Sequence, residues 1–182
     1  MVEAQPAGAL AGSPDGFERL WVPHRLVYVQ GDARPTTSQP QDCPFCRARG
    51  LDDEEGLVVA RGQTVYALLN LFPYNTGHLL ICPYRHVADL CELTSDESAE
   101  LVKMTQLGIM ALRQIRQPQG FNLGINQGAV AGAGIAAHLH QHIVPRWAND
   151  ANFFPIIAQT KALPELLATT RQALAEQWGR QC

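Results

Sequence analysis

The chain has 182 residues, 46% of them hydrophobic and 17% charged, with a formal net charge of −3. That is enough chain for one domain with a sizeable core, and the slight acidity excludes a broadly basic field for nucleic acid. No apolar run reaches membrane-span length and the N-terminus lacks a charged-then-apolar signal pattern, so the expected compartment is the cytoplasm, with neither a membrane nor nucleic acid as partner.

Residues 1–16 are small, Gly- and Pro-rich and expected to form a disordered tail, leaving 17–182 as a single domain. From Phe17 the chain turns amphipathic, and residues 31–42 (GDARPTTSQPQD) read as a polar loop. The five cysteines are an odd number and argue against a disulfide framework. Cys82, inside an apolar run, reads as a small core residue. Leu57 to Ala60 and Thr64 to Leu69, split by Arg61-Gly62-Gln63, form the pattern of a β-hairpin. Phe72 to Gly77 is a turn, and His78 to Pro83 a third strand.

Thr94-Ser-Asp-Glu97 has the form of a helix capping box. Behind it Leu101, Met104, Gly108, Ala111, Leu112 and Ile115 recur at helical spacing, and Pro118 marks the stop. Phe121 to Ile125 and His138 to Val144 are the predicted fourth and fifth strands. A last helix is predicted from Leu163 to Trp178, with Leu166, Leu167, Leu174 and Trp178 on its apolar face. Strands interspersed with only two substantial helices fit an α+β fold better than an alternating parallel one.

The chemistry concentrates in His138-Leu139-His140-Gln141-His142. On an extended strand the three histidines would share one face at a spacing of about 7 Å. Three imidazoles in a row are a poor core, since each has two nitrogens that require partners. A metal site and a phosphate site both suit them. In the second, a neutral imidazole attacks phosphorus and its neighbours handle charge and protons. The preceding GFNLGINQGAVAGAGIAA favours the phosphate reading, because a Gly- and Ala-rich loop lets backbone N–H groups approach an anion.

His-x-His-x-His followed by two apolar residues resembles the motif of the histidine triad superfamily of nucleotide hydrolases and transferases. Asn70-Leu-Phe-Pro-Tyr-Asn-Thr-Gly-His78, running on through LLICPYRHV, is similar to that superfamily's second block. With GLVVARG, the NQG loop and the WANDANF segment, residues 17 to 180 most closely resemble the bacterial diadenosine tetraphosphate phosphorylases. The resemblance implies an antiparallel sheet of about five strands with helices packed on it, in a homodimer or higher homo-oligomer. It implies a nucleotidyl transferase that cleaves the dinucleotide to ATP and ADP with inorganic phosphate, and no organic cofactor. A hydrolase or a nucleoside phosphoramidase of the same superfamily, or a nucleotide-binding module without turnover, are the alternatives.

The resemblance also implies roles. His140 would be the nucleophile, forming a nucleotidyl-histidine, and His142 would bond the phosphate or the bridging oxygen. Asn70 matches a ribose contact, while Asn126 and Gln127 match amides on phosphate oxygens, although Asn-x-Gly is equally a turn. His78 matches a recurrent histidine that can also simply orient the active-site strand. Two positions depart from the pattern. Gly134 stands where many members have a Gln or Ser, so a phosphate contact there must come from the backbone. Gln141 fills a hydrophobic slot and, facing away from the triad, requires polar company at a helix end or a subunit interface.

Cys43-Pro-Phe-Cys46 has the spacing of a zinc knuckle. A redox dithiol would follow a buried strand at a helix start, and TTSQPQD offers no such strand. Some histidine triad proteins hold zinc on Cys-x-x-Cys, a Pro-x-x-His histidine and the first triad histidine. Carried over, the ligands are Cys43, Cys46, His86 and His138, a closed and therefore structural Zn²⁺ site. The alternative is two reduced thiols with His86 on the surface.

Overall fold

A computed structural model describes residues 39–148, 150 and 163–181. The tail over 1–16, the amphipathic stretch from Phe17, the loop up to residue 38 and most of the segment after Ala148 lie outside the described residues. The described residues belong to one compact unit, 34–182.

Five strands, β1 (Val58–Arg61), β2 (Val65–Leu69), β3 (Leu79–Pro83), β4 (Gly120–Ile125) and β5 (Gln141–Arg146), form one sheet in the order β1-β2-β3-β5-β4. Every neighbouring pair is antiparallel. β2 and β3 are buried on both faces, which is why VYALL and LLICP read as unbroken apolar runs rather than alternating ones. On one face Val65, Ala67, Leu69, Leu79, Ile81 and Ile143 pack under helices α2 (Ser95–Arg116) and α3 (Leu167–Gly179). On the other, Tyr66, Leu68, Leu80 and Cys82 meet Cys43 and Phe45 of a one-turn helix, α1 (Pro44–Ala48), and its cap.

Helix α2 begins at the expected capping box: the Thr94 hydroxyl accepts from Glu97 N–H, and the Glu97 carboxylate accepts from Thr94 N–H. It ends at Gln117, in the left-handed region at φ 47°, just before Pro118. Gly108 brings the helix close to the sheet, since a Cβ there would stand 3.2 Å from Leu79 Cδ1 and 3.3 Å from Ile143 Cδ1.

Three expectations are corrected. The fifth strand starts at Gln141 rather than His138, because the three residues before it are pulled from the sheet; Leu139 N–H donates to the Val87 carbonyl at 2.7 Å. The last helix starts at Leu167 rather than Leu163: Pro164 biases Leu163 away from helix, and Leu166 is an extended N-cap, 77% exposed instead of packed. Gln141 meets no helix end: it donates from Nε2 to Thr105 Oγ1 at 2.8 Å, in the middle of α2.

Candidate active site and metal cluster

Pro44 at the first position of α1 makes Cys43 its N-cap and sets Cys46 on the same short turn. So Cys-x-x-Cys does sit at a helix start, although no strand leads into it among the described residues. His86 comes from the loop after β3, and His138 from the segment before β5. The four ligand atoms lie within 4.8 Å of one another. His138 Nε2–H donates to the Pro83 carbonyl at 3.0 Å, which leaves Nδ1 bare, 3.3 Å from Cys43 Sγ and 3.5 Å from Cys46 Sγ. His86 Nδ1 is 3.3 Å from Cys46 Sγ. The edge of a tetrahedral S₂N₂ zinc site is about 3.5 Å, so the donor set and its spacing fit that ion. Burial and the neighbouring Cys43 push the Cys46 thiol up, and burial pulls His138 down to about 4. In both groups burial opposes the charged form. Cys82 is fully buried, with its thiol pushed well above the usual range by burial, as expected of a core residue.

His140 and His142 stand closer than an extended strand would place them, with ring centroids 4.9 Å apart, because His140 precedes the strand. The Nδ1 of His140 lies 2.8 Å from the carbonyl of His138 and donates to it, since a carbonyl can only accept. The lone pair of a neutral His140 is therefore on Nε2. Burial lowers the pKa of His140, and that of His142 to about 4, so both rings are neutral at pH 7. His140 is 6% exposed and packs against Phe45 at a centroid distance of 4.9 Å.

His78, fully buried on the turn entering β3, completes the arrangement. Tyr74 N–H donates to its Nδ1 at 3.0 Å, so the proton of neutral His78 is on Nε2. That nitrogen lies 2.9 Å from His142 Nδ1, which must accept. The same logic puts a proton on His142 Nε2, a buried atom without a partner among the described residues. A bare ring nitrogen and an N–H donor thus stand on neighbouring imidazoles, the pair required for in-line attack on phosphorus with hydrogen bonding to the departing oxygen.

The remaining expected residues are placed less uniformly. Asn70 accepts from Phe72 N–H at 3.0 Å through Oδ1 and approaches His78 Nδ1 at 3.4 Å through Nδ2, so it braces the turn before any substrate arrives. Gln127 Oε1 accepts from Leu90 N–H at 2.9 Å, which leaves its amide N–H₂ for an anion. Asn126 is half-buried at the end of β4, and Gly134 is exposed in the loop before His138. Gly128 and Gly132, at φ 83° and 89°, supply the left-handed turns of that loop. Sequence reasoning missed Phe45, whose ring also lies 5.5 Å from His138. Its signal was its place between the two cysteines. It also missed Asn75, which donates to the Pro145 carbonyl at 3.1 Å and to Asp150 at 2.9 Å, tying the turn before His78 to the end of β5.

A family model described as HIT domain matches residues 53–149. The chain is 50% identical over 175 residues, 93% of its length and 89% of the relative's, to a Mycobacterium tuberculosis protein named AP-4-A phosphorylase. Among solved structures it is similar to a Zn-bound histidine triad family protein from Mycobacterium smegmatis, at TM-score 0.61 and 22% identity over 79% of this chain and 97% of that one. A hypothetical histidine triad nucleotide-binding protein from Sulfolobus tokodaii aligns at TM-score 0.61 and 28% identity, covering 76% and 93% of the two chains.

Proposed function

The chain belongs to the HIT domain family, and from that premise we propose that it is a nucleotidyl transferase cleaving diadenosine tetraphosphate by phosphorolysis. The observation that carries the chemistry is the tautomer of His140: Nδ1–H is spent on the His138 carbonyl, which leaves Nε2 bare beside the donor of His142. In this reading His140 Nε2 forms a bond to the α-phosphorus while the P–O bond to the polyphosphate breaks. His142 Nε2–H bonds the departing oxygen, and ATP leaves. An oxygen of inorganic phosphate then attacks the adenylyl-histidine, the N–P bond breaks, and ADP is released with His140 regenerated. The amide of Gln127, the N–H groups of the Gly-rich loop and Asn126 are suited to the phosphate oxygens, and Asn70 to the ribose.

Phosphate rather than water as second acceptor is supported by the likeness to the mycobacterial AP-4-A phosphorylase. The test is product identity with and without inorganic phosphate. ATP plus ADP that depends on phosphate is expected, whereas ATP plus AMP at every phosphate concentration would make the protein a hydrolase. Rapid quenching should trap an acid-labile, base-stable adenylyl adduct that His140→Ala lacks.

Cys43, Cys46, His86 and His138 would hold Zn²⁺, which would supply structural cross-linking, with all four positions taken by protein. A homodimer is part of the same reading. The outer edge of β4 is unpaired among the described residues, and Leu123 on it is 51% exposed. No helix among the described residues is long and apolar enough to cross a membrane. The free thiols suit a reducing compartment such as the cytoplasm.

A further inference from the structure

The turn between β2 and β3 carries large apolar side chains outward in close succession: Leu71 is 61% exposed, Phe72 79% and Tyr74 53%. Exposed aromatic surface beside a reaction centre calls for a ligand, the more so when its backbone is held still. This turn is held at several points. Asn70 N–H donates to the His78 carbonyl at 2.9 Å, His78 N–H to the Asn75 carbonyl at 3.1 Å, and Asn75 is anchored to Pro145. The Tyr74 ring is nearly parallel to His142, at 19° and 5.9 Å between centroids, and lies 4.8 Å from His78. Ring contacts therefore run in a row from Phe45 to His140, to His142 and on to Tyr74.

That row has a direction. In-line displacement places the attacking nitrogen and the departing oxygen on opposite sides of phosphorus. If His140 attacks and His142 bonds the bridging oxygen, the departing half of the substrate runs past His142, away from His140. Among the described residues, the aromatic surface that adjoins His142 on that path is Tyr74. We propose that the Tyr74 ring is the platform on which the leaving nucleoside polyphosphate rests its base, and that it sets the preference for dinucleotides over adenylyl donors with small leaving groups. This rests on the phosphorolysis reading above. Stacking of a base on an aromatic ring tolerates any base, so the platform selects for a second nucleoside and not for adenine in particular.

The test compares diadenosine tetraphosphate with the γ-methyl ester of ATP, which has the same adenylyl half and a polyphosphate leaving group without a ring. In Tyr74→Ala and Tyr74→Leu the ratio of kcat/KM for the dinucleotide to that for the ester is expected to fall about tenfold, and in Tyr74→Trp to hold or rise. Two variants guard against one that folds poorly. A Tyr74 that merely braced His78 and His142 would lower both substrates together, so a ratio within twofold of wild type in Ala and Leu would overturn the proposal whatever the absolute rates. A fall in the Trp variant equal to that in Ala would overturn it as well. Wild-type protein that leaves the dinucleotide intact would defeat the phosphorolysis reading itself, a result read before any variant is made.

Discussion

His138 serves two neighbours at once: its carbonyl takes the Nδ1–H of His140 at 2.8 Å, while its own Nδ1 faces Cys43 Sγ at 3.3 Å. The residue that would be fixed by a metal ion is thus the one that selects the tautomer of the proposed nucleophile. Stripping the cluster should be felt in the reaction as well as in the melting curve. Cys43→Ala, or the wild type treated with a strong chelator, is expected to lose about 10 °C in Tm, the order of magnitude for loss of a structural metal in a chain of this length. Zinc added back should restore the chelated wild type and not the variant. Elemental analysis finding less than a tenth of an equivalent of zinc in purified protein would defeat the assignment.

The His78–His142 bond carries a second expectation. Without the His78 ring, His142 Nδ1 loses its donor and the proton is no longer confined to Nε2. His78→Ala should lower kcat for diadenosine tetraphosphate about 10²-fold. For an adenylyl ester whose leaving group requires little protonation the loss should be much smaller. Equal losses on the two substrates would assign His78 to folding rather than to the departing oxygen.

The third expectation concerns acid. Burial, and secondarily the neighbouring His140, hold His142 down to about 4, against an ordinary value near 6.5. The folded value lies below the unfolded one, so the unfolded chain binds the extra proton first as pH falls. This contribution to stability is complete above about pH 6.5 and is lost between there and about pH 4. Chemical denaturation at a series of pH values should show the midpoint declining through that window. The acid limb of kcat/KM should lie below pH 6.5, because the nucleophile must be neutral and burial lowers His140 as well. A limb at 6.5 would mean that His140 is solvated like a surface histidine.

Gln141 invites a fourth measurement. Its amide donates to Thr105 Oγ1, and that hydroxyl in turn donates to the Leu101 carbonyl at 2.7 Å. Gln141→Leu leaves the Thr105 hydroxyl with its own acceptor, so no buried donor is stranded. The change is expected to alter stability by no more than about 1 kcal/mol. A loss of several kcal/mol in urea unfolding would mean that the glutamine meets a partner beyond Thr105.

Much of this was legible in the residues, and the gaps have physical causes. Thr94 and Glu97 announce α2, because a capping box is a local device, and the apolar stripe from Leu101 to Leu112 needs nothing beyond its own period. β1, β2 and β3 are equally local, as runs bounded by turn residues. β5 misled because His138-Leu139-His140 alternates as a strand would, yet Val87 and Pro83 draw two of those residues away through bonds of long sequence separation. The helix at Pro44 is too short to show a period. The grouping of Cys43, Cys46, His86 and His138 came from a family pattern, and its donors do converge. The proton ladder through His78 could not be read, since it depends on the Tyr74 amide pointing at one ring nitrogen.

Phe45 is carried between the two cysteines and lies against both His138 and His140. A clasp and a wall are therefore made from the same four-residue turn. Any relative that dispensed with the cysteines would have to find another way of keeping one benzene ring where the imidazole can lean on it.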